Sequence, residues 1–295
     1  MQTNELTHKS SLSLIKDKLR VYAAFGKLRL ASLVVFSSVL GYMMAASSVI
    51  WPEMIALIFG GFLVTASSNG FNQVIERELD KLMDRTKNRP IPVGSMNSRE
   101  GLIAASVMGI IGLYLLFIFT NTLAGILGAF ALFLYVVIYT PLKRVTPFAV
   151  LVGAFPGAIP PMLGYIAATG SFGLAPGILF AVQFIWQFPH FWAIAWKAHD
   201  DYQKAGFHLL PSPGGRDFSS AVQIATYSLF LIPVSCLPYI FGLSGIISLI
   251  VCLIAGLIFF YYSLRLLKTL DLKDATRLMF ASFIYLPIVQ ISFLF

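Results

Sequence analysis

A chain of 295 residues that is 58% apolar and only 12% charged, with mean hydropathy +0.81, is excluded from the ordinary soluble class, where roughly 25% of residues are charged. Its net charge of +8 calls for no nucleic-acid partner, because cations that sort to one membrane face explain it. Cys236 and Cys252 both lie inside apolar runs, which leaves neither a disulfide framework nor a thiolate metal site.

Residues 1–28 are polar and include Glu5 and Asp17. A cleaved signal needs an apolar core before small residues, and transit peptides avoid acids. The expectation is a bacterial plasma membrane protein, with 1–28 a cytoplasmic segment of one polytopic domain spanning 1–295. A membrane-spanning helix needs about 20 predominantly apolar residues. The stretches 30–49, 52–74, 101–120, 122–141, 147–168, 174–194, 220–240, 243–263 and 275–295 qualify. The expected fold is an all-α integral membrane protein with nine transmembrane helices.

All 21 Lys and Arg residues precede the first span or fall in alternate loops: 77–99, 143–144, 197–216 and 265–277. The loops near 50, 121, 171 and 241 contain none. Cytoplasmic loops carry the excess of Lys and Arg, so the amino terminus is expected in the cytoplasm and the carboxyl terminus outside. The same cations can also contact anionic membrane lipid.

The second span runs into a polar island, Asn72 to Pro90. Asn72, Glu76, Asp80 and Asp84 recur every fourth residue. A helix that continues through them places all four on one drifting stripe, where acids repel one another. Arg77, Lys81 and Arg85 offset part of that charge. An amide and carboxylates on one stripe are oxygen donors suited to Mg2+, and Arg85, Lys87 and Arg89 beside them can grip a diphosphate. Pro90 and Pro92 are expected to end the helix. A solvated loop of charged pairs would look similar.

Further on stands Tyr139-Thr-Pro-Leu-Lys143-Arg144, whose two cations read equally well as topology signals. The fifth span holds Pro156, Pro160 and Pro161, expected to kink it and widen a cavity. The sixth span ends in a second island with Trp186, Gln187, Pro189, His190, Trp192, Trp196, Lys197, His199, Asp200, Asp201, Tyr202 and Lys204. His190, Ile194, Lys197 and Asp201 share a face on an unbroken helix. Ionisable groups at membrane depth are functional candidates. Asp200 and Asp201 can complete a metal site with the first island, and Lys197 and Lys204 can hold phosphate. The three tryptophans fit packing or an interfacial belt better than a substrate platform, and His199 and His208 fit interfacial positions.

Asn72-x3-Glu76-x3-Asp80, then Met83-x-Arg85-Thr86-x2-Arg89-Pro90, resembles the first signature of the UbiA superfamily of intramembrane prenyltransferases. The Tyr139–Arg144 stretch, Gly153-Ala-x-Pro156-Gly-Ala-x-Pro160-Pro161, and Trp186-Gln187-x-Pro189-His190-Phe191-Trp192 with Asp200-Asp201-Tyr202 are similar to its protoheme-farnesylating branch. The resemblance implies nine spans around a central cavity with a polar site at its cytoplasmic mouth. It implies transfer of the farnesyl group of farnesyl diphosphate to a vinyl group of heme B, giving heme O and diphosphate, with Mg2+ as cofactor and a heme A synthase as a possible recipient of product. By position, Asn72, Glu76 and Asp80 would ligate Mg2+, with Asp200 and Asp201 as further ligands. Arg85, Lys87 and Arg89 would hold the diphosphate. Lys197 and Asp201 join the catalytic set. Asp84, Tyr139, Lys143, Arg144, His190, Asp200, Tyr202 and Lys204 fall on the substrate side, His190 as a transient axial ligand of the heme. The chain departs from the quinone-forming branch where His190 and Lys197 stand in place of aspartates, so Lys197 would replace a metal's charge.

Other readings are an aromatic-acid or chlorophyll-type prenyltransferase, a secondary transporter, and an assembly subunit. Spans nearly free of charge at mid-depth argue against the transporter, whose sites lie near the midplane. An assembly subunit leaves the acids of the first island unexplained.

Overall fold

The computed structural model describes residues 11–295, with side chains from residue 15 onward. Residues 1–10 of the polar leader, with Lys9, lie outside the described residues. Among the described residues the chain is helical without strands, and nine helices are long and apolar enough to cross a membrane: α2 (Leu28–Ala45), α3 (Trp51–Ile75), α5 (Ser98–Phe119), α6 (Thr122–Leu142), α7 (Ala149–Thr169), α8 (Leu174–Lys197), α10 (Phe218–Ile240), α11 (Ile246–Thr269) and α12 (Leu272–Ser292). Three shorter helices accompany them: α1 (Ser11–Phe25) before the first span, and α4 (Arg77–Asp80) and α9 (His199–Lys204) between spans.

The polar leader is therefore partly helical. Lys18 and Tyr22 of α1 donate to the Glu100 carboxylate at 2.9 and 3.0 Å, which ties α1 to the start of α5. Asn97 and Asn121 cap α5 and α6 by accepting from Glu100 N and Ala124 N, satisfying amides that have no partner within the helix.

The helices neighbour one another in two groups. α2, α3, α5, α6 and α7 form one, and α7, α8, α10, α11 and α12 the other, with α7 shared. Large apolar side chains cover the outside, as a lipid solvent demands. The helices approach most closely where glycines replace side chains. A Cβ on Gly41 would sit 2.0 Å from Pro161 O, and one on Gly164 1.8 Å from Ser38 O. These two notches face each other across α2 and α7 and set their separation, the small-residue packing that membrane helices favour.

The three prolines leave α7 continuous from Ala149 to Thr169. Proline has no N–H to offer the carbonyl four residues earlier, so Pro161 frees Gly157 O. Gln183 and Gln187 of α8 donate to that oxygen at 2.6 and 3.0 Å. Gln290 of α12 donates to Gln183 Oε1 at 2.7 Å, and Ser37 of α2 donates to Gln290 Oε1 at 2.8 Å. A buried polar ladder thus crosses four helices at a point where the sequence suggests a kink and a widened cavity.

Candidate active site

The first island does not continue as one helix. α3 ends at Ile75, Glu76 breaks it at φ −91° and ψ 10°, and α4 follows only as far as Asp80. Pro90 and Pro92 come after the helix has already stopped. Asn72, Glu76 and Asp80 remain buried together at 2, 4 and 0% exposure, but Asp84 is turned out to solvent. The expected four-member stripe is three residues deep, because the chain turns at Lys81.

Each buried acid has a cation. Arg89 Nη1 reaches both Asp80 oxygens at 2.8 and 2.7 Å. Lys143 pairs with Glu76 Oε1, and its ammonium also lies over the rings of Tyr139 and Phe207, 5.0 and 5.3 Å from their centroids. Burial pushes the Lys143 pKa down, against the pull of Glu76. Lys143 thus belongs to the site, but Arg144 is exposed and has no ion pair among the described residues. Asn72 Nδ2 donates to Thr140 Oγ1 at 3.4 Å. Thr140 in turn donates to Tyr135 O at 2.8 Å, across a π-helical turn at 134–139 that closes α6.

The two islands, 117 residues apart in sequence, meet. Asp201 accepts from Asp84 N at 2.7 Å and Arg85 N at 3.1 Å. Lys204 bridges Asp84 at 2.5 Å and Asp201 at 3.3 Å. Lys87 pairs with Asp84 at 2.6 Å, and Arg85 donates to Tyr202 Oη at 3.3 Å while lying over its ring. Lys204 and Lys87 hold the Asp84 carboxyl down at about 2. Burial pushes Asp201 up, but the amides of Arg85 and Asp84 outweigh it and its pKa is lowered.

Magnitude separates these contacts. Lys204 and Asp84 are both exposed, and exposed ion pairs contribute little. Asp201 satisfies two backbone amides at once, worth about 1–2 kcal/mol. If the chain takes the prenyl diphosphate that the resemblance implies, Asp201→Ala is expected to raise its KM by about tenfold, and Lys204→Met to change it at most a few-fold. Initial rates over a range of diphosphate concentrations check the ranking, and equal effects would contradict it.

The carboxylates of Asp200 and Asp201 are engaged outside the Asn72–Glu76–Asp80 group. Asp200 faces solvent and accepts from Arg216 Nη1 at 3.0 and 3.1 Å, and the oxygens of Asp201 are taken as above. Among the described residues no three His, Cys, Asp or Glu side chains converge as a metal cage. The shared face expected for His190, Lys197 and Asp201 is also broken, since α8 ends at Lys197 and α9 restarts after Ala198. Lys197 and His190 point toward α12, Lys197 with its ammonium 5.9 Å from the Phe280 ring. Trp186, Trp192 and Trp196 are buried in one apolar cluster with Met83 and Tyr139, which is the packing role.

A residue outside the expected set also feels the charges of this group. Lys27 sits at φ 50° between α1 and α2. Gln73 donates to Phe25 O at 2.7 Å and Asn69 to Gly26 O at 3.3 Å, so the polar end of α3 fixes that turn. Burial, then the charges of Arg89, Lys143 and Arg85, lower the Lys27 pKa to about 7. If the site takes a diphosphate, as the resemblance implies, that anion would favour the charged form of Lys27. Below pH 7 the ammonium is already present. Above it, binding must draw in a proton, so affinity falls as pH rises through about 7. Titration calorimetry in buffers of different ionisation heat is expected to show this proton uptake in the wild type and not in Lys27→Met. The same uptake in both would remove Lys27 from the site.

The oxygen donors Asn72, Glu76 and Asp80 suit a hard divalent cation. Glu76 Oε1 is buried and makes no hydrogen bond beside its ion pair. Mg2+ commonly takes one or two carboxylates and completes its shell with water and substrate phosphates, so a full protein cage is not required.

The sequence pattern of the UbiA prenyltransferase family matches residues 34–286. The chain belongs to the UbiA prenyltransferase family. Protoheme IX farnesyltransferase of Cytophaga hutchinsonii is 48% identical over 94% of this chain and 97% of its own length. The proteins of that name from Flavobacterium johnsoniae and Aquifex aeolicus are 43 and 33% identical, covering 97 and 93% of this chain and 97 and 94% of themselves. Among solved UbiA folds, a digeranylgeranylglyceryl phosphate synthase superposes with TM-score 0.78 at 21% identity, over 94% of this chain and 98% of its own. A UbiA homolog from Archaeoglobus fulgidus bound to GPP and Mg2+ superposes with TM-score 0.67 at 13% identity, over 93 and 99%. The helical fold of this chain is thus that of these solved proteins.

Proposed function

We propose that the protein transfers the farnesyl group of farnesyl diphosphate to a vinyl group of heme B, producing heme O and diphosphate. The observation that carries this is similarity along nearly the whole chain to protoheme IX farnesyltransferases. The buried acid–cation nest supplies what the reaction needs. Breaking an allylic C–O bond leaves negative charge on diphosphate, and preorganised cations stabilise that charge as it develops.

In this reading Asn72, Glu76 and Asp80 hold Mg2+, whose role is to neutralise the leaving diphosphate. Arg89 and Lys143, paired with Asp80 and Glu76 without substrate, turn to the phosphate oxygens when it binds. Arg85, Lys87 and Lys27 complete the cationic rim. The loop around Asp84 and Arg85 is held closed over the site by Asp201, with Lys204 and Tyr202 beside it. The farnesyl chain lies among apolar side chains of the bundle, away from water that would quench the allylic cation. Once the C–O bond has broken and its electron pair has left with diphosphate, the terminal vinyl carbon of heme attacks the allylic cation to form the new C–C bond; water then captures the resulting heme-side cation and gives up a proton to the released diphosphate, leaving the hydroxyl of the hydroxyethyl group.

The nest faces the cytoplasm in this account, because every Lys and Arg in the loops lies at the same end as Glu76 and Lys143. The product passes to an enzyme that oxidises the heme further. Extracting heme from cells with and without the active protein, and weighing it by mass spectrometry, tests the assignment. Heme O present only with the protein is expected; a farnesylated quinone precursor in its place would overturn the choice of acceptor.

A further inference from the structure

The hydroxyl of the proposed product comes from water, yet the same chemistry demands that water be kept from the allylic cation. One placed water on the acceptor's side meets both demands where bulk water meets neither. The wall of α7 beside the acid–cation nest carries a polar atom suited to hold it. Lys143, the partner of Glu76, lies over the Tyr139 ring. That ring fills a notch at Gly153, where a Cβ would sit 2.7 Å from it. Gly157 is one turn further along α7, about 6 Å deeper in the bundle. Its notch is filled by the Gln187 amide, whose nitrogen would be 2.7 Å from a Cβ there.

Gln187 and Gln183 both donate from Nε2 to Gly157 O, at 3.0 and 2.6 Å. A carbonyl can only accept, so each amide presents its nitrogen to Gly157 and turns its oxygen elsewhere. Gln183 Oε1 accepts from Gln290 at 2.7 Å. Gln187 Oε1 accepts from no group among the described residues, although the residue is only 6% exposed. Buried side-chain oxygens ordinarily have a donor, and Gln183 alone already holds both Gly157 O and the rest of the ladder. Gln187 is therefore fixed through its nitrogen with its oxygen free. One turn nearer the nest, Tyr139 Oη is likewise without a hydrogen-bond partner among the described residues, which gives a buried water a second polar neighbour on the same wall.

We propose that Gln187 Oε1 holds the water that captures the heme-side cation. The water donates one O–H to Oε1 and turns a lone pair to the carbon next to the porphyrin ring. As the new C–O bond forms from that pair, positive charge develops on the water, and the amide oxygen stabilises it. The second O–H then breaks. Its electron pair stays on the hydroxyl oxygen and its proton passes to the released diphosphate. An amide suits this place because its oxygen accepts well but is too weak a base to strip a proton from carbon, a loss that would give an alkene in place of the alcohol. The assignment rests on heme B being the acceptor.

The test is a single turnover of the full chain in lipid nanodiscs with farnesyl diphosphate, Mg2+ and heme B. The readout is the ratio, in the extracted heme, of hydroxylated product to the alkene that is lighter by one water. Gln187→Leu is expected to lower that ratio about tenfold, which corresponds to about 1.4 kcal/mol on the hydration step. Its binding of farnesyl diphosphate with Mg2+ is expected to match wild type, because Gln183 still satisfies Gly157 O. Gln183→Leu is the structural control: it cuts the tie to Gln290 and lowers the melting temperature, but leaves the ratio at the wild-type value. An unchanged ratio in Gln187→Leu, or an equal fall in Gln183→Leu, would overturn the proposal. Should Gln187→Leu fail to bind farnesyl diphosphate, Gln187→Met, which keeps the length of the side chain, is read by the same ratio. A wild-type protein that leaves heme B unmodified would instead sink the choice of acceptor, so the two failures are told apart.

Discussion

Asp80→Asn is expected to abolish heme O formation while the protein still inserts in the membrane, and Arg89→Ala is expected to do the same. Asp80 is fully buried and accepts two contacts from Arg89, whose own side chain is 15% exposed. The asparagine keeps the shape and removes the charge. It leaves Arg89 without its counterion and replaces one of the two carboxylates proposed for Mg2+ by a neutral amide. Breaking a wholly buried ion pair costs about 3–5 kcal/mol; the access of Arg89 to solvent puts this pair at or below the low end, within reach of a folded protein. The catalytic loss is larger in effect, because removing one preorganised group that stabilises developing charge lowers kcat by about 10²–10³-fold. Heme O per unit of membrane-extracted protein is the quantity to compare. Wild-type output from either variant would remove these residues from the site.

The second large effect is on folding and needs no substrate. Gly164→Ala is expected to prevent accumulation of folded protein, and Gly41→Ala likewise. The added Cβ would meet Ser38 O at 1.8 Å in one case and Pro161 O at 2.0 Å in the other. Those atoms are backbone, so no rotamer change relieves the clash and α2 must move off α7. Overpacking relieved by side chains costs about 1–3 kcal/mol, and moving a helix exceeds that. Gly177→Ala in α8 is the control: its Cβ meets nothing within 4 Å, and a helical alanine gains about 0.5–1 kcal/mol over glycine. Size-exclusion profiles of detergent-solubilised protein after heating should rank Gly177→Ala at or above wild type and both other variants far below. Equal profiles for Gly164→Ala and Gly177→Ala would show that the α2–α7 crossing is not close-packed.

The spans were readable in the sequence because twenty apolar residues in lipid leave the backbone one choice, a helix. Their ends were less so. α8 runs three residues past its expected end at 194 to Lys197, since a long cation there keeps its head in the interface while its stem covers apolar surface. The buried amide Asn72 and the buried acids Glu76 and Asp80 are legible from their spacing, and the same rule misplaces Asp84, because periodicity assumes a helix that in fact breaks at Glu76. Lys143 and Arg144 look alike in sequence. What separates them is a tertiary fact, that Lys143 lies over Tyr139 and Phe207 against Glu76 while Arg144 points away. Lys27 was invisible for a related reason: its place in the site depends on a left-handed residue and on Gln73 and Asn69 gripping the turn before it. The spacing Asn69, Asn72, Gln73 is the one trace of that grip in the sequence. The sequence places Asp201 among the candidate metal ligands; in the structure its carboxylate accepts from the amides of Asp84 and Arg85, and nothing in the local sequence announces a backbone partner 117 positions away.

The most direct test is a single-turnover assay of the purified protein in nanodiscs with farnesyl diphosphate and heme B, with and without Mg2+, read by mass spectrometry of the extracted heme. The account predicts heme O with Mg2+ present and its loss when EDTA removes the metal. Equal heme O formation in the presence of EDTA, or a farnesylated product of some other acceptor and none from heme B, would contradict it.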